Sequence, residues 1–263
     1  MDEIARYNIE RWKALVDANA LFTRPRFDLT PDSARQLIDG QGRLGEIAGK
    51  DVLCLAGGGG KQSEAFALLG AHVTVFDLSE AQLQRNLDAA QHYGVTIKTV
   101  QGDMRDLSVF EDKSLDIVCH LYSLNFVPDV HPVFAGIARI LRREGIYTFN
   151  CANPFYFGLT ERDWNGEGYA LKNPYLEGAE IQREDPDWVY DREQHAPIQP
   201  SREFCHTLST LVSGLTANGF VITHISDYAG FYPDAEAKPG TWDHFVSVAP
   251  PWLTFWTTYQ SYQ

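Results

Sequence analysis

The chain has 263 residues, an apolar fraction of 44% and a formal net charge of −13 at pH 7. With a pI near 5 it is a poor partner for nucleic acid or an anionic membrane, both of which reward clustered Lys and Arg. No apolar run approaches the length of a membrane span and the opening MDEIARYNIERW is neither a signal nor a transit peptide, so one cytoplasmic domain, or one domain with a cap, is expected.

Residues 3–22 place Ile4, Tyr7, Trp12, Leu15, Val16 and Ala18 at roughly helical spacing, which predicts an amphipathic helix. A loop with Arg24 and Arg26 follows, and Thr30-Pro31 is a helix start with a cap hydroxyl and a first-turn proline. Residues 1–49 therefore read as a helical cap, either packed on the core or closing over a ligand. At 51–63, DVLCLAGGGGKQS, a short apolar strand runs into four glycines and then into a helical pattern (Ala65, Phe66, Leu68, Leu69) stopped by Gly70. Strand, glycine turn and helix together suit a nucleotide-like ligand, because backbone without Cβ atoms allows close approach and a helix start offers free N–H groups. The next strand, 72–76, ends in Asp77, 17 residues after Gly60, where an acid can take both ribose hydroxyls.

Ser79 and Gln82 form a capping-box pattern for a helix that ends at Gly94. A strand at 95–100 precedes GDMRDL (102–107), with Arg105 and Asp106 read as a surface pair. A fourth strand at 115–120, a helix at 131–141 and a fifth strand at 146–150 keep the alternation that means a parallel, doubly wound sheet over 50–150. Cys54, Cys119, Cys151 and Cys205 form no CxxC pair, so no metal site is expected and buried free thiols are. The rhythm stops at 151–202, a proline-rich stretch with eight aromatics, which predicts a lid or substrate loop. A helix over 204–217 and two closing strands, 220–226 and 244–248, complete the sheet in 203–263. Ten aromatics from Tyr228 onward call for burial against the domain or a second subunit, which raises a homodimer through this tail.

With the glycine turn, Asp77, GDMRDL and the fourth-strand exit in view, the chain resembles class I S-adenosylmethionine-dependent methyltransferases, nearest to the ubiquinone/menaquinone-biosynthesis type and its small-molecule relatives. The resemblance covers 50–150 well and extends loosely to 250. It implies a Rossmann-like seven-stranded sheet with its last strand antiparallel, a helical N-terminal cap and a lid inserted after strand 5. Cys54 and Ala56 stand where the family has an acid and its first glycine, while Gly58 and Gly60 keep the other two glycines.

The resemblance implies S-adenosylmethionine as cofactor, held by Ala56, Gly57, Gly58, Gly60, Gln62, Asp77, Leu78, Gly102, Asp103, Met104 and His120. Asp103 would read the adenine edge. His120, Tyr122 and Asn125 fall in the loop under the methyl donor and are the candidate catalytic groups. His120 has a pKa suited to a general base, although a histidine just past a buried strand is equally a satisfied core residue. Tyr7, Trp12, Phe155, Trp164 and His195 are candidate substrate contacts. The expected function is methyl transfer to the O, N or C atom of a neutral or cationic small molecule, with no nucleic acid and no membrane involved. The rival readings are an NAD(P)-dependent oxidoreductase, whose third fingerprint glycine would fall at Ser63, and a non-catalytic adenosylmethionine-binding protein.

Overall fold

A computed structural model describes residues 2–228 and 232–260. Seven strands form one sheet: β1 (Asp51–Leu55), β2 (His72–Asp77), β3 (Ile97–Gln101), β4 (Leu115–Leu121), β5 (Leu141–Ala152), β8 (Phe220–Ser226) and β9 (Trp252–Tyr259), in the order β3-β2-β1-β4-β5-β9-β8. The first five pair in parallel, and β9 runs antiparallel to both β5 and β8. The chain order turns back at β1, so the helices that follow β1 and β4 pack on opposite faces of the sheet and a crevice opens beyond the carboxyl ends of these two paired strands, the usual ligand site of open α/β sheets.

Helices cover both faces. The larger apolar core packs Leu53, Leu55, Val118, Phe134, Tyr147, Phe149 and Phe255 on one side, and the other packs Val52, Cys54, Phe66, Val75 and Ile117 on the second. α3 (Gln62–Leu68) follows the glycine turn, α4 (Glu80–Tyr93) starts at a Ser79 cap and stops at Gly94 in the left-handed conformation, and α5 (His131–Ile140) leads into β5. α6 (Leu208–Ala217) precedes β8. All four cysteines are free and buried. No helix among the described residues is long and apolar enough to cross a membrane.

The sheet closes differently from the sequence expectation. Residues 244–248 lie in α7 (Trp242–Val248), started by the Thr241 side chain, and the inserted antiparallel strand is the next segment, β9. The alternation of β9 is apolar on one face (Leu253, Phe255) and mixed on the other, and it is held on both edges. Its place inside the sheet uses much of the C-terminal aromatic density: Phe245 and Phe255 are buried, and Trp252, Trp256 and Tyr259 are half-buried within the chain. Phe231 and Tyr262, two of the ten aromatics counted there, lie outside the described residues.

The N-terminal segment is α1 (Glu3–Asp17), a short 3-10 turn at Leu21–Thr23, and α2 (Pro31–Asp39). The insertion contains an antiparallel hairpin, β6 (Glu180–Arg183) with β7 (Ser201–Phe204), that the aperiodic sequence did not announce. The helix expected from residue 204 therefore starts four residues later, at Leu208. α1 grips this hairpin. Arg11 pairs with Asp185 at 2.6 Å, Tyr7 donates its hydroxyl to the Pro200 carbonyl at 2.7 Å, and Arg202 reaches Glu3 at 2.9 Å. The buried face of α1 is thus Ala5, Asn8, Arg11 and Leu15 rather than the apolar stripe through Tyr7 and Trp12.

Candidate active site

β1 delivers the chain to the glycine turn with Ala56 at φ 45°, a left-handed conformation that favours glycine. Ala56 stands where the family places a glycine, and its backbone keeps the glycine-like turn, fixed by its N–H donating to the Phe76 carbonyl at 2.7 Å. Gly57 admits no larger residue without pressure, since a Cβ there would sit 3.0 Å from Val75 Cγ1. At Gly59 a Cβ would lie 2.1 Å from the Thr23 carbonyl oxygen, so the N-terminal cap rests directly on the turn. Asn86, on the buried side of α4, donates to the Gly58 and Gln82 carbonyls and accepts the Ser63 hydroxyl. Asn86 is a turn-supporting residue that motif reading missed, although its position four residues after Gln82 puts both on one helix face.

Asp77 closes β2. Its carboxylate accepts from the Gly58 N–H at 3.0 Å and the Ser79 N–H at 2.8 Å. Burial raises its pKa to about 6, opposed by those backbone donors. Gly102 lies over Phe76, where a Cβ would sit 2.2 Å from the ring. Asp103 is held by Arg105, which also reaches Asp2 at the start of α1. Arg105 therefore pairs with Asp103 and Asp2, not with Asp106, whose carboxylate accepts from the Ser108 N–H instead. At the acid position, Cys54 offers no charge: burial drives its thiol pKa well above the ordinary value.

These elements face one cavity of about 1260 Å³. Ala56, Gly57, Gly58, Gln62, Asp77, Leu78, Gly102, Asp103 and Met104 line it; Gly60 does not, its carbonyl instead accepting from the Arg26 N–H. The cavity continues past Tyr122 to Trp12, Arg183, Asp185, Trp188 and Glu203. This volume exceeds the common range for a single small-ligand pocket and has room for a donor and an acceptor side by side. Acidic and basic side chains line it in nearly equal number, so the overall charge of −13 is not carried into the site.

Of the three expected catalytic groups only Tyr122 faces the cavity. His120 is fully buried on the opposite face of β4, stacked against Tyr147, with Nδ1 3.1 Å from the Tyr147 hydroxyl and Nε2 lacking a partner. Burial holds its pKa down at about 3, so it is neutral at physiological pH. It is a core histidine, and neither the base role nor the cofactor contact expected of it has a route to the cavity. Asn125 is a brace: its amide donates to the Phe204 carbonyl at 2.9 Å and its oxygen accepts from the Ala152 N–H at 2.8 Å. It ties the β4 exit to β5 and β7.

Tyr122 is held at φ 45°, with its N–H donating to the Asn150 side chain at 2.7 Å. Its hydroxyl donates to Glu203 Oε2 at 3.1 Å, and its ring meets Phe126 and Trp252 edge-on.

Among the expected substrate contacts, Trp12 lines the cavity. Tyr7 is spent on Pro200 and lies under Arg202. Phe155 stacks on Tyr175 at the surface, half exposed. Trp164 packs against His244 and Tyr169, away from the cavity, and His195 sits in a turn beyond its lining. The insertion contributes charge as well as aromatics. Glu203, almost fully buried, accepts from the Ser201 hydroxyl at 2.8 Å and faces Arg183 at 3.7 Å. These residues carried no sequence signal because they come together only across a hairpin joined by a long loop.

The dinucleotide fingerprint is incomplete at the turn. Ser63, in the third-glycine position, is buried and hydrogen-bonded to Glu64 and Asn86. Among the described residues no cluster of His, Cys, Asp and Glu could hold a metal.

Comparison with known proteins agrees with this geometry. Residues 53–149 match a methyltransferase domain family. The chain is 36% identical over 191 residues to an uncharacterized methyltransferase of Bacillus subtilis, covering 72% of this chain and 70% of that protein. A ubiquinone biosynthesis O-methyltransferase of Pseudomonas savastanoi is 31% identical over 157 residues, 58% of this chain and 66% of its own length. In fold, a putative S-adenosylmethionine-dependent methyltransferase from Listeria monocytogenes superposes with a TM-score of 0.62 at 19% identity, over 88% of this chain and 96% of the other. A glycine turn on β1, an acid at the tip of β2, an antiparallel strand between β5 and β8 and these matches lead to one conclusion: the chain belongs to the class I S-adenosylmethionine-dependent methyltransferases.

Proposed function

We propose that this enzyme methylates a small-molecule acceptor at an O, N or C atom, with the donor lying along the glycine turn and the acceptor beneath the insertion. The observation that carries this reading is the single cavity joining Asp77 and Asp103 at one end to Tyr122 and Glu203 at the other. The cradle fits a nucleoside sulfonium: the turn is bare of side chains at Gly57 and Gly58, and the Asp77 carboxylate lies at the tip of β2 beside them. Asp77 would hold the ribose hydroxyls, and Gly102, Asp103 and Met104 the adenine. Adenosylmethionine, when bound, supplies a methyl group already activated on sulfur. The chain's own work is therefore alignment and exclusion of water.

Trp12 of α1 and Trp188 of the insertion both line the acceptor end. The acidic chain, with no excess of basic side chains along the cavity, suits a small molecule and not a nucleic acid strand. Calorimetry with adenosylmethionine and with NAD tests the donor site. Asp77→Ala should weaken adenosylmethionine about 10- to 100-fold, the loss of charge-assisted hydrogen bonds worth about 1.5–3 kcal/mol. Unchanged affinity in a folded variant would remove the assignment. Methyl transfer to any small acceptor separates an enzyme from a protein that only binds the donor.

A further inference from the structure

With His120 buried in the core, the cavity needs another proton acceptor if its substrate bears a proton at the reacting atom. We propose that Glu203, acting through the Tyr122 hydroxyl, is the proton-accepting pair of the acceptor subsite, and that the acceptor is a small phenol or amine. This rests on the methyltransferase reading above and deepens it.

Four observations carry the proposal. Glu203 is 4% exposed and yet lines the cavity. A buried carboxylate so placed is costly unless it serves the site or is fully paired. Its recorded donors are Ser201 on one oxygen and Tyr122 on the other, with Arg183 at 3.7 Å, so acceptor capacity remains on a group that can take about four hydrogen bonds. Tyr122 is held in a left-handed conformation, uncommon for a bulky side chain, by paired bonds from its N–H to Asn150. Such strain, when the surroundings enforce it, marks functional positions. The hydroxyl so placed stands at the exit of β4, between the donor half of the cavity and the insertion. Finally, Trp12, Phe126 and Trp252 surround this point with aromatic faces and edges, which suit a flat apolar body attached to the reacting atom.

The step balances without any further reactant. A lone pair on the acceptor O or N forms the new bond to the methyl carbon as the S–CH3 bond breaks, and the electron pair of that bond stays on sulfur. The acceptor's proton passes to the Tyr122 oxygen while the Tyr122 proton passes to Glu203. The positive charge of the sulfonium and the negative charge of the carboxylate disappear together. A carboxylate acceptor has no proton to give and would meet Glu203 as a like charge.

The test uses the full chain as wild type, Glu203→Gln and Tyr122→Phe, both near-isosteric. A panel of simple phenols and aromatic amines, with matched carboxylic acids, is incubated with methyl-labelled adenosylmethionine, and donor affinity is measured by calorimetry on each protein. Wild type should methylate members of the phenol or amine set and not the acids. Glu203→Gln should lose roughly 10²–10⁴-fold in turnover at saturating donor, with donor affinity within about twofold. An independent reading uses 4-nitrophenol bound in the presence of adenosylhomocysteine. Its visible absorbance should show ionisation at higher pH on wild type than on Glu203→Gln, because the carboxylate opposes a neighbouring phenolate. Retained turnover in Glu203→Gln, preference for the carboxylic acids, no transfer to any phenol or amine by a protein that binds the donor, or identical nitrophenol titrations would each overturn the proposal. Failure of wild type to bind adenosylmethionine would instead overturn the underlying methyltransferase reading.

Discussion

The two ends of the cavity are built by different means. The proposed donor end is framed largely by main chain, with the Asp77 and Asp103 carboxylates at its edge: the glycine turn, the backbone beside Asp77 and the Gly102 crossing over Phe76. The acceptor end is side chain, from segments distant in sequence. Arg11 and Asp185 are 174 residues apart, and Tyr122 and Glu203 are 81 apart. A main-chain site keeps its shape when side chains change, which is why Cys54 and Ala56 can occupy positions where the family has an acid and a glycine without altering the turn. A side-chain site depends on the clasp between α1 and the insertion, so its chemistry can change only together with its packing.

The strongest test of that contrast is Arg11→Ala. Arg11 and Asp185 are both nearly buried, and burial holds the Asp185 pKa above its ordinary value even with Arg11 beside it. Removing the guanidinium strands a buried carboxylate, which costs about 3–5 kcal/mol, whereas replacing both partners with leucine should cost far less. Denaturant unfolding measures both. Hydrogen exchange should quicken in α1 and the hairpin while the glycine turn stays protected. Equal loosening at both ends would show that the two ends are not built separately.

His120 gives a second break. Its folded pKa of about 3 lies below the ordinary 6.5, so the unfolded chain binds the extra proton first. Stability therefore falls as pH drops below about 6.5, by about 1.4 kcal/mol per unit. Relative to wild type, His120→Phe should gain about 2 kcal/mol at pH 5 over its difference at pH 7.5. Asp77 and Glu64, raised by burial to about 6 and about 7, act in the opposite sense: their contribution is present below their ordinary values and is lost as pH rises through the raised ones. They are common to both proteins and cancel in the difference. Parallel stability curves would mean that His120 titrates in the fold.

If Asp77 holds the ribose as proposed, its binding form is the carboxylate, and its pKa stands at about 6 before ligand arrives. Adenosylmethionine affinity should fall by up to tenfold per unit below pH 6. In Asp77→Asn it should be weaker throughout and flat with pH over this range. A wild-type affinity unchanged between pH 7 and pH 5 would separate Asp77 from the ligand. The smallest effect belongs to Ala56. Relieving its φ of 45° with glycine recovers a conformational cost of about 1–2 kcal/mol and loses about 0.5–1 kcal/mol to the freer unfolded chain. Ala56→Gly should thus be slightly more stable by thermal melting, with little change in donor affinity.

How much of this was legible beforehand follows the range of the forces involved. The sequence by itself determined the glycine turn and the acid at the tip of β2. A strand, a glycine run, a helix and an acid at the next strand tip are neighbours along the chain, and hydrophobic period and glycine conformation are local properties. Tertiary structure decided the rest. Residues 244–248 have a strand-like composition but lie in a helix, because Thr241 caps it and the slot between β5 and β8 is filled by β9. His120 lies one residue from the cavity-lining Cys119 and Leu121, and the alternation of β4 sends it into the opposite core. Glu203 and Arg11 carry no periodic or motif signal, since a buried polar side chain is recognisable only by the partner it meets, and each of theirs arrives from a distant part of the chain.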